Sequence, residues 1–305
     1  MKLLIIGGTY FLGKAFLEVC DDGTNEITVL NRGNRKVPGK ENGHIREIRA
    51  DRKSEASLRA VRESFDDAGY DGVIDFCAYE KGDIQRILNL GFPIKKYIFI
   101  STCDVYERGT GEILDEGASF EERDFGGEAG AYIVGKVALE KELLESAKLR
   151  GMRYTSVRPT FIYGPGNYAP REGMFFQWIS KAGQIIFPED ADGSFQMVYV
   201  EDLAKCIYAC LQSEAPNDGG MNVCGETTDY EGFADALEKA TGQSIQRVAL
   251  SVNDVNARGI PMPFPLTKAE SERYSDERAR SLGVPFTSLE EGLRKSYQSF
   301  LQSEE

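Results

Sequence analysis

The apolar run Leu3-Leu4-Ile5-Ile6 leads directly into the glycine-rich stretch GGTYFLG at residues 7–13. A short apolar strand that ends in such a turn and reopens as a helix constrains the fold more than any other feature of this chain. Glycine lets the backbone turn tightly and approach a ligand or a neighbouring element. The amino end of the following helix offers N–H donors and positive potential. Downstream, β-branched runs alternate with helical periodicity. The sequence predicts strands over 2–7, 27–32, 45–50, 72–78, 96–101 and 153–159, and helices near 12–20, 55–65, 83–90 and 136–149. Several runs are apolar almost throughout, as in Tyr97-Ile98-Phe99-Ile100, the pattern of strands covered on both faces. This alternation implies an α/β fold, a doubly wound parallel sheet of Rossmann type.

After Gly164-Pro165-Gly166 the rhythm changes. Helices are expected over 174–182, 201–211, 230–240 and 289–300, and strands over 197–200 and 221–223. We expect a dinucleotide-binding domain over 1–165, joined by 195–215, and a smaller, interleaved substrate-binding lobe over most of 166–305. The glycine-rich, acidic segment 107–131 reads as a mobile lid or a solvated excursion.

Composition narrows the function. The chain has one histidine, His44, and six cysteines without a CxxC pair, so a metal site of the usual Cys/His kind is not expected. Cys206 and Cys210 stand one helical turn apart and read as packing residues. A formal net charge of −13 argues against a nucleic-acid partner. No apolar run reaches the roughly 18 residues that span a bilayer. The apolar start is too short for a secretory signal core. A cytoplasmic location without a membrane partner is therefore expected, with assembly left open between monomer and homodimer.

Gly7, Gly8 and Gly13, with Thr9, Tyr10, Phe11 and Leu12 between them, fit a turn that cradles the pyrophosphate of a dinucleotide. Tyr10 stands where a G-x-x-G-x-x-G spacing asks for glycine, so its side chain must point away from the phosphates or cover them. The second strand ends in Asn31-Arg32, without the acid that would bind the ribose hydroxyls of NAD. Arg32, Arg35 and Lys36 suit a 2′-phosphate instead, which favours NADP over NAD. Asp51, with Arg52 beside it, could accept from the adenine amino group, and Phe76, Cys77 and Ala78 would line the cofactor.

Tyr132 and Lys136 are spaced to share one helix face. Tyrosine ionises near pH 10 in water. An ammonium at about 4 Å, in an effective dielectric near 20, favours the phenolate by roughly 4 kcal/mol. At the carboxyl end of the fifth strand, Ser101-Thr102-Cys103-Asp104 offers a hydroxyl that could hold a substrate oxygen against that phenolate.

These residues resemble the extended short-chain dehydrogenase/reductases, in their NAD-dependent epimerase/dehydratase branch. The resemblance rests on GGTYFLG, residues 101–106, Tyr132-Ile133-Val134-Gly135-Lys136, residues 158–165, Val200-Glu201-Asp202-Leu203-Ala204 and Asn222-Val223-Cys224-Gly225. It implies that Thr102, Tyr132 and Lys136 form the catalytic set, with Ser101, Arg158, Pro159 and Thr160 near the nicotinamide. By analogy with sugar 4,6-dehydratases, Asp104 would be a shortened base and Cys103 a weak acid. The plainer reading makes them a turn residue and a packing residue. Phe161 and Phe195 replace polar residues that many epimerases place on a nucleotide diphosphate. With Tyr10, they bring the chain closer to a divergent GGTxFLG group, which is similar to chloroplast RNA-binding relatives. Arg171, Lys181 or Lys205 could meet a substrate phosphate.

The expected activity is that of an NAD(P)-dependent epimerase/dehydratase-type oxidoreductase, acting on a carbinol carbon of a nucleotide sugar or related small molecule. Two alternatives stay open: an NADPH-dependent reductase of a non-sugar carbonyl, and a non-catalytic nucleotide-sensing or RNA-binding relative.

Overall fold

The computed structural model describes residues 1–213 and 218–304. The end of the 195–215 segment, at 214 and 215, and residue 305 lie outside the described residues.

The chain begins with β1 (Lys2–Ile6), α1 (Leu12–Cys20), β2 (Glu26–Asn31), β3 (Ile45–Arg49), α2 (Glu55–Ala60), β4 (Tyr70–Asp75), α3 (Asp83–Leu88) and β5 (Ile94–Ile100). There follow β6 (Ile113–Leu114), the long α4 (Gly127–Arg150), β7 (Arg153–Pro159), β8 (Phe161–Tyr163) and α5 (Glu172–Ala182). The remainder runs β9 (Gln184–Pro188), β10 (Ser194–Tyr199), α6 (Val200–Gln212), β11 (Gly219–Val223), β12 (Glu226–Asp229), α7 (Tyr230–Thr241), β13 (Gln246–Leu250), α8 (Val252–Ala257), β14 (Arg273–Tyr274), α9 (Glu277–Arg280) and α10 (Leu289–Glu304).

Seven parallel strands form the main sheet in the order β11-β7-β5-β4-β1-β2-β3. Successive side chains alternate between its faces. Leu3, Ile5, Ile27, Val29, Ile74 and Ile98 pack with Phe16 of α1 and Leu203 and Ile207 of α6. Leu4, Ile6, Leu30, Val73, Tyr97 and Phe99 pack with Ile84 and Ile87 of α3 and Leu139 and Leu143 of α4. Each fully buried side chain of this size contributes roughly 1.5–3 kcal/mol, so both faces need their helices. From β1 the chain winds outward to β2 and β3, then crosses back to β4 on the other side. The crevice at the carboxyl ends of β1 and β4 is therefore the topological switch point, where ligands sit in such sheets.

Smaller sheets, β12-β10-β8 and β13-β9, carry an aromatic core with Phe175, Phe176, Phe195, Phe233 and Phe264. The sequence reading missed β9 and β13, which pair in parallel between distant segments. It also began the helix of Lys136 at 136, whereas α4 starts at Gly127. Gly127, Gly130 and Gly135 lower the intrinsic helix preference there. At Gly135 the reason is packing: an added Cβ would lie 2.3 Å from the Tyr79 carbonyl oxygen. Within 107–131, β6 pairs with β14, and Glu121 accepts from the backbone and side chain of Arg123 and from the Arg108 backbone N–H. The base of this excursion is thus tied to the body of the protein.

Candidate active site

A cleft of about 1420 Å³ opens at the switch point. A single drug-sized ligand occupies roughly 300–1,000 Å³, so there is room for a dinucleotide and a substrate side by side. Its floor at one end is the β1–α1 turn. Gly7 and Gly8 have φ of +85° and +74°. A Cβ at Gly13 would lie 2.4 Å from Gly8 Cα, so only glycine lets α1 approach the turn this closely. Among the described residues α1, whose amino end begins in the turn, has no side-chain cap hydrogen bond at its N-cap, Phe11. Thr9, Tyr10, Phe11 and Leu12 also line the cleft. Tyr10 does not fold inward into the protein: it is 41% exposed, stacks on Tyr168 at 5.1 Å, and carries the Arg35 guanidinium 3.9 Å above its ring.

Asn31, Arg32, Arg35, Asp51 and Arg52 line the outer end, while Lys36 is exposed and does not. A carboxylate the sequence reading overlooked, Glu47, accepts from Asn31 Nδ2 at 3.1 Å. Glu47 is also paired with Lys40 at 2.5 Å and Arg49 at 3.1 Å, and these partners hold its pKa down to about 2. Arg52 is largely committed within the fold. It pairs with the fully buried Asp75 at 2.5 Å and donates to the Asp83 carbonyl at 2.7 Å, while Tyr97 donates to the other Asp75 oxygen at 2.6 Å. Phe76 and Cys77 line the cleft. Ala78 is fully buried behind them, and its carbonyl accepts from Lys136.

At the inner end, Ser101 and Thr102 are buried and line the cleft, as do Pro159 and Thr160. Among the described residues the Ser101 hydroxyl has no hydrogen-bond partner. Thr102 Oγ1 donates to Asp104 Oδ2 at 3.0 Å, and Asp104 pairs with Arg108 at 2.6 Å. Cys103 is buried; its thiol donates to the Arg158 carbonyl at 3.1 Å, and burial pushes its pKa far up. Arg158, expected beside the nicotinamide, is instead buried against Glu140 of α4, at 2.8 Å, and donates to the Tyr106 hydroxyl at 2.6 Å. A buried guanidinium needs such a charge partner, and α4 supplies it.

Tyr132 lines the cleft and is 38% exposed; Lys136, one turn on, is only 3% exposed. Lys136 Nζ donates to the Ala78 and Ile100 carbonyls at 2.9 and 2.8 Å. It lies 4.7 Å from the ring centroids of Tyr79 and Phe99 and 5.6 Å from that of Tyr132. Burial pulls its pKa down to about 8, opposed by Asp75, Cys77 and Glu140. The sequence reading expected the lysine to lower the phenol's pKa. In the structure the Tyr132 pKa is raised, first by burial and then by Asp104 and Tyr79, with the Thr102 hydrogen bond opposing. The ammonium is held on backbone carbonyls beside the ring face, so burial outweighs it.

Phe161, Phe195, Gln196, Tyr274, Arg108 and Arg171 also line the cleft. Arg171 donates to the Ile162 carbonyl at 2.9 Å. Lys181 and Lys205 do not line the cleft. Phe195 stacks on Phe264 at 4.1 Å and belongs to the aromatic core. Tyr79, Arg108 and Tyr168 were missed from sequence, because none falls in a spaced motif and each reaches the cleft by tertiary folding.

Residues 84–224, which include Thr102, Tyr132 and Lys136, match the NAD dependent epimerase/dehydratase family; the glycine turn precedes the matched stretch. The matched stretch covers a little under half of the chain, so the chain is similar to this family over its central part. Among curated relatives it is 29% identical over 253 residues to a chloroplast stem-loop binding protein of 41 kDa from Arabidopsis thaliana, covering 79% of this chain and 63% of that protein. It is 24% identical over 228 residues to a UDP-glucose 4-epimerase from Vibrio cholerae, covering 69% and 64% respectively. The chain thus spans less than two thirds of either relative's length. The structure of a UDP-glucuronic acid 4-epimerase from Bacillus cereus, solved with NAD, superposes with a TM-score of 0.76 at 18% identity, covering 99% of this chain and 97% of that one. At that identity the likeness is one of fold, and the family's Rossmann-type parallel sheet is the fold seen here.

Proposed function

We propose that the protein is an NAD(P)-dependent oxidoreductase of the epimerase/dehydratase type, acting on a carbinol carbon of a nucleotide sugar or related small molecule. The observation that carries this reading is the convergence of Thr102, Tyr132 and Lys136 with the glycine turn in one cleft. A dinucleotide fits the residues present: the turn admits no Cβ at Gly13, and among the described residues α1 has no side-chain cap hydrogen bond at Phe11 and the buried Ser101 hydroxyl lacks a partner. The backbone of residues 7–13 would take the pyrophosphate, Arg32 and Asp51 the adenosine end, and Ser101, Pro159 and Thr160 the nicotinamide end. Bound there, the cofactor supplies a hydride acceptor that can also return the hydride.

The chain's own residues handle the proton. Thr102 holds the substrate hydroxyl, and Asp104, paired with Arg108, holds Thr102. This favours a positioning role for Asp104 over that of a base. Cys103, its proton held by burial and by the Arg158 carbonyl, acts as packing. Tyr132 takes the hydroxyl proton and gives it back, and Lys136 keeps a positive charge beside the ring as the phenolate forms. NADP is favoured over NAD because Arg32 is exposed at the cleft and the carboxylate beside β2, Glu47, is already paired. The epimerase relatives support the nucleotide-sugar class.

The test is product analysis with NAD or NADP and a panel of nucleotide sugars. Tyr132→Phe should lower turnover by about 10²–10⁴-fold while leaving cofactor affinity unchanged. Cofactor binding without turnover on any nucleotide sugar or carbonyl compound overturns the enzymatic reading.

A further inference from the structure

The chemistry above gives no role to Tyr10, the side chain that interrupts the glycine turn. In the structure it is the middle layer of a stack drawn from three distant segments. Arg35, from the β2–β3 connection, lies over the Tyr10 ring at 3.9 Å. Tyr168, from the loop between β8 and α5, stacks on Tyr10 at 5.1 Å with 26° between planes, and Phe11 meets Tyr168 edge-on at 6.0 Å. Tyr10, Arg35 and Tyr168 all line the cleft. Tyr168 is 66% exposed, so core packing does not explain its place.

Its loop is nonetheless well anchored. Glu172 accepts from the Gly164 backbone N–H at 2.9 Å and from Asn167 Nδ2, and Asn167 Oδ1 accepts from the Ala169 backbone N–H at 3.0 Å. The stack therefore joins a braced loop to the phosphate-binding turn.

We propose that Tyr168, Tyr10 and Arg35 form an outer wall of the dinucleotide site that retains the cofactor between turnovers. This rests on the dinucleotide reading given above. A cycle in which the same hydride leaves and returns has no need to exchange its cofactor, and escape is a loss. A stacked aromatic pair capped by a guanidinium must part before a dinucleotide can leave past it. That requirement acts chiefly on the dissociation rate.

The test follows the release of NADH, which lacks a 2′-phosphate and so keeps any role of Arg35 in reading that group out of the result. The purified chain is loaded with NADH, mixed with excess NAD, and the nicotinamide fluorescence is followed. Tyr168→Ala and Arg35→Ala should release NADH about tenfold faster than the unmodified protein, from the size of one lost stacking or cation–π contact. Tyr168→Phe, which keeps the stack, should release at the original rate. Melting curves check that the exposed substitutions leave the fold intact. Unchanged release from Tyr168→Ala, or equal acceleration in Tyr168→Phe, overturns the wall while leaving the cofactor site standing. Failure of the unmodified chain to take up either NADH or NADPH removes the dinucleotide reading and the wall together.

Discussion

Gly13 shows how one residue sets the geometry of the site. Its missing side chain lets α1 begin against the backbone of Gly8, and the nearest atoms to an added Cβ are backbone atoms that cannot swing aside. Gly13→Ala should therefore cost on the order of 1–3 kcal/mol of stability, as overpacking does, and weaken dinucleotide binding as the turn shifts. Thermal denaturation and a cofactor titration measure both; a variant as stable and as avid as the parent contradicts the argument. Gly7, Gly13, Thr102, Tyr132 and Lys136 were legible from sequence because each sits at a fixed step from a strand end or a helix turn. The phenol's surroundings were not. Its raised pKa comes from burial and from Asp104 and Tyr79, whose proximity is tertiary.

Among the elements, the strands of the main sheet were readable because burial on both faces leaves nearly unbroken apolar runs, as in Ile98-Phe99-Ile100. By contrast, β9, β13 and β14 are short or half-exposed and gain their pairing only from segments far along the chain. The loop between β8 and α5 is of this second kind, and its brace is Glu172. Burial raises the Glu172 pKa to about 7, against the opposing pull of the Gly164 and Asn167 donors. A carboxyl raised in the folded state stabilises fully below its unfolded pKa near 4.5 and loses that contribution as pH rises through about 7. Relative to Glu172→Gln, the parent should lose on the order of 2 kcal/mol of stability between pH 5 and pH 8. Denaturant unfolding of both proteins across that range is the measurement. Parallel pH profiles would show that the brace is already ionised at pH 5.

At the scale of the whole molecule, charge separates two readings that share this fold. An RNA-binding module is an alternative that the sequence leaves open beside a nucleotide-sugar enzyme. Yet the chain carries a formal net charge of −13, and among the described residues seven cations, Arg32, Arg35, Arg52, Lys53, Arg108, Lys136 and Arg171, line one cavity. Two phosphates of a dinucleotide can enter that cavity. A structured RNA presents phosphates over a wide surface, and most of them would meet net negative charge, while each productive contact must release counterions. Binding of a stem-loop RNA should therefore be weaker than about 10⁻⁴ M at physiological salt, the weak end of non-specific affinities. Fluorescence anisotropy with a labelled stem-loop measures it, with salt titration as the control. Micromolar affinity that falls steeply with salt would show that a local basic surface overrides the net charge. Competition by NADPH in the same assay would then tell whether that surface is the cleft: displacement places the RNA phosphates among these arginines, and its absence places them elsewhere.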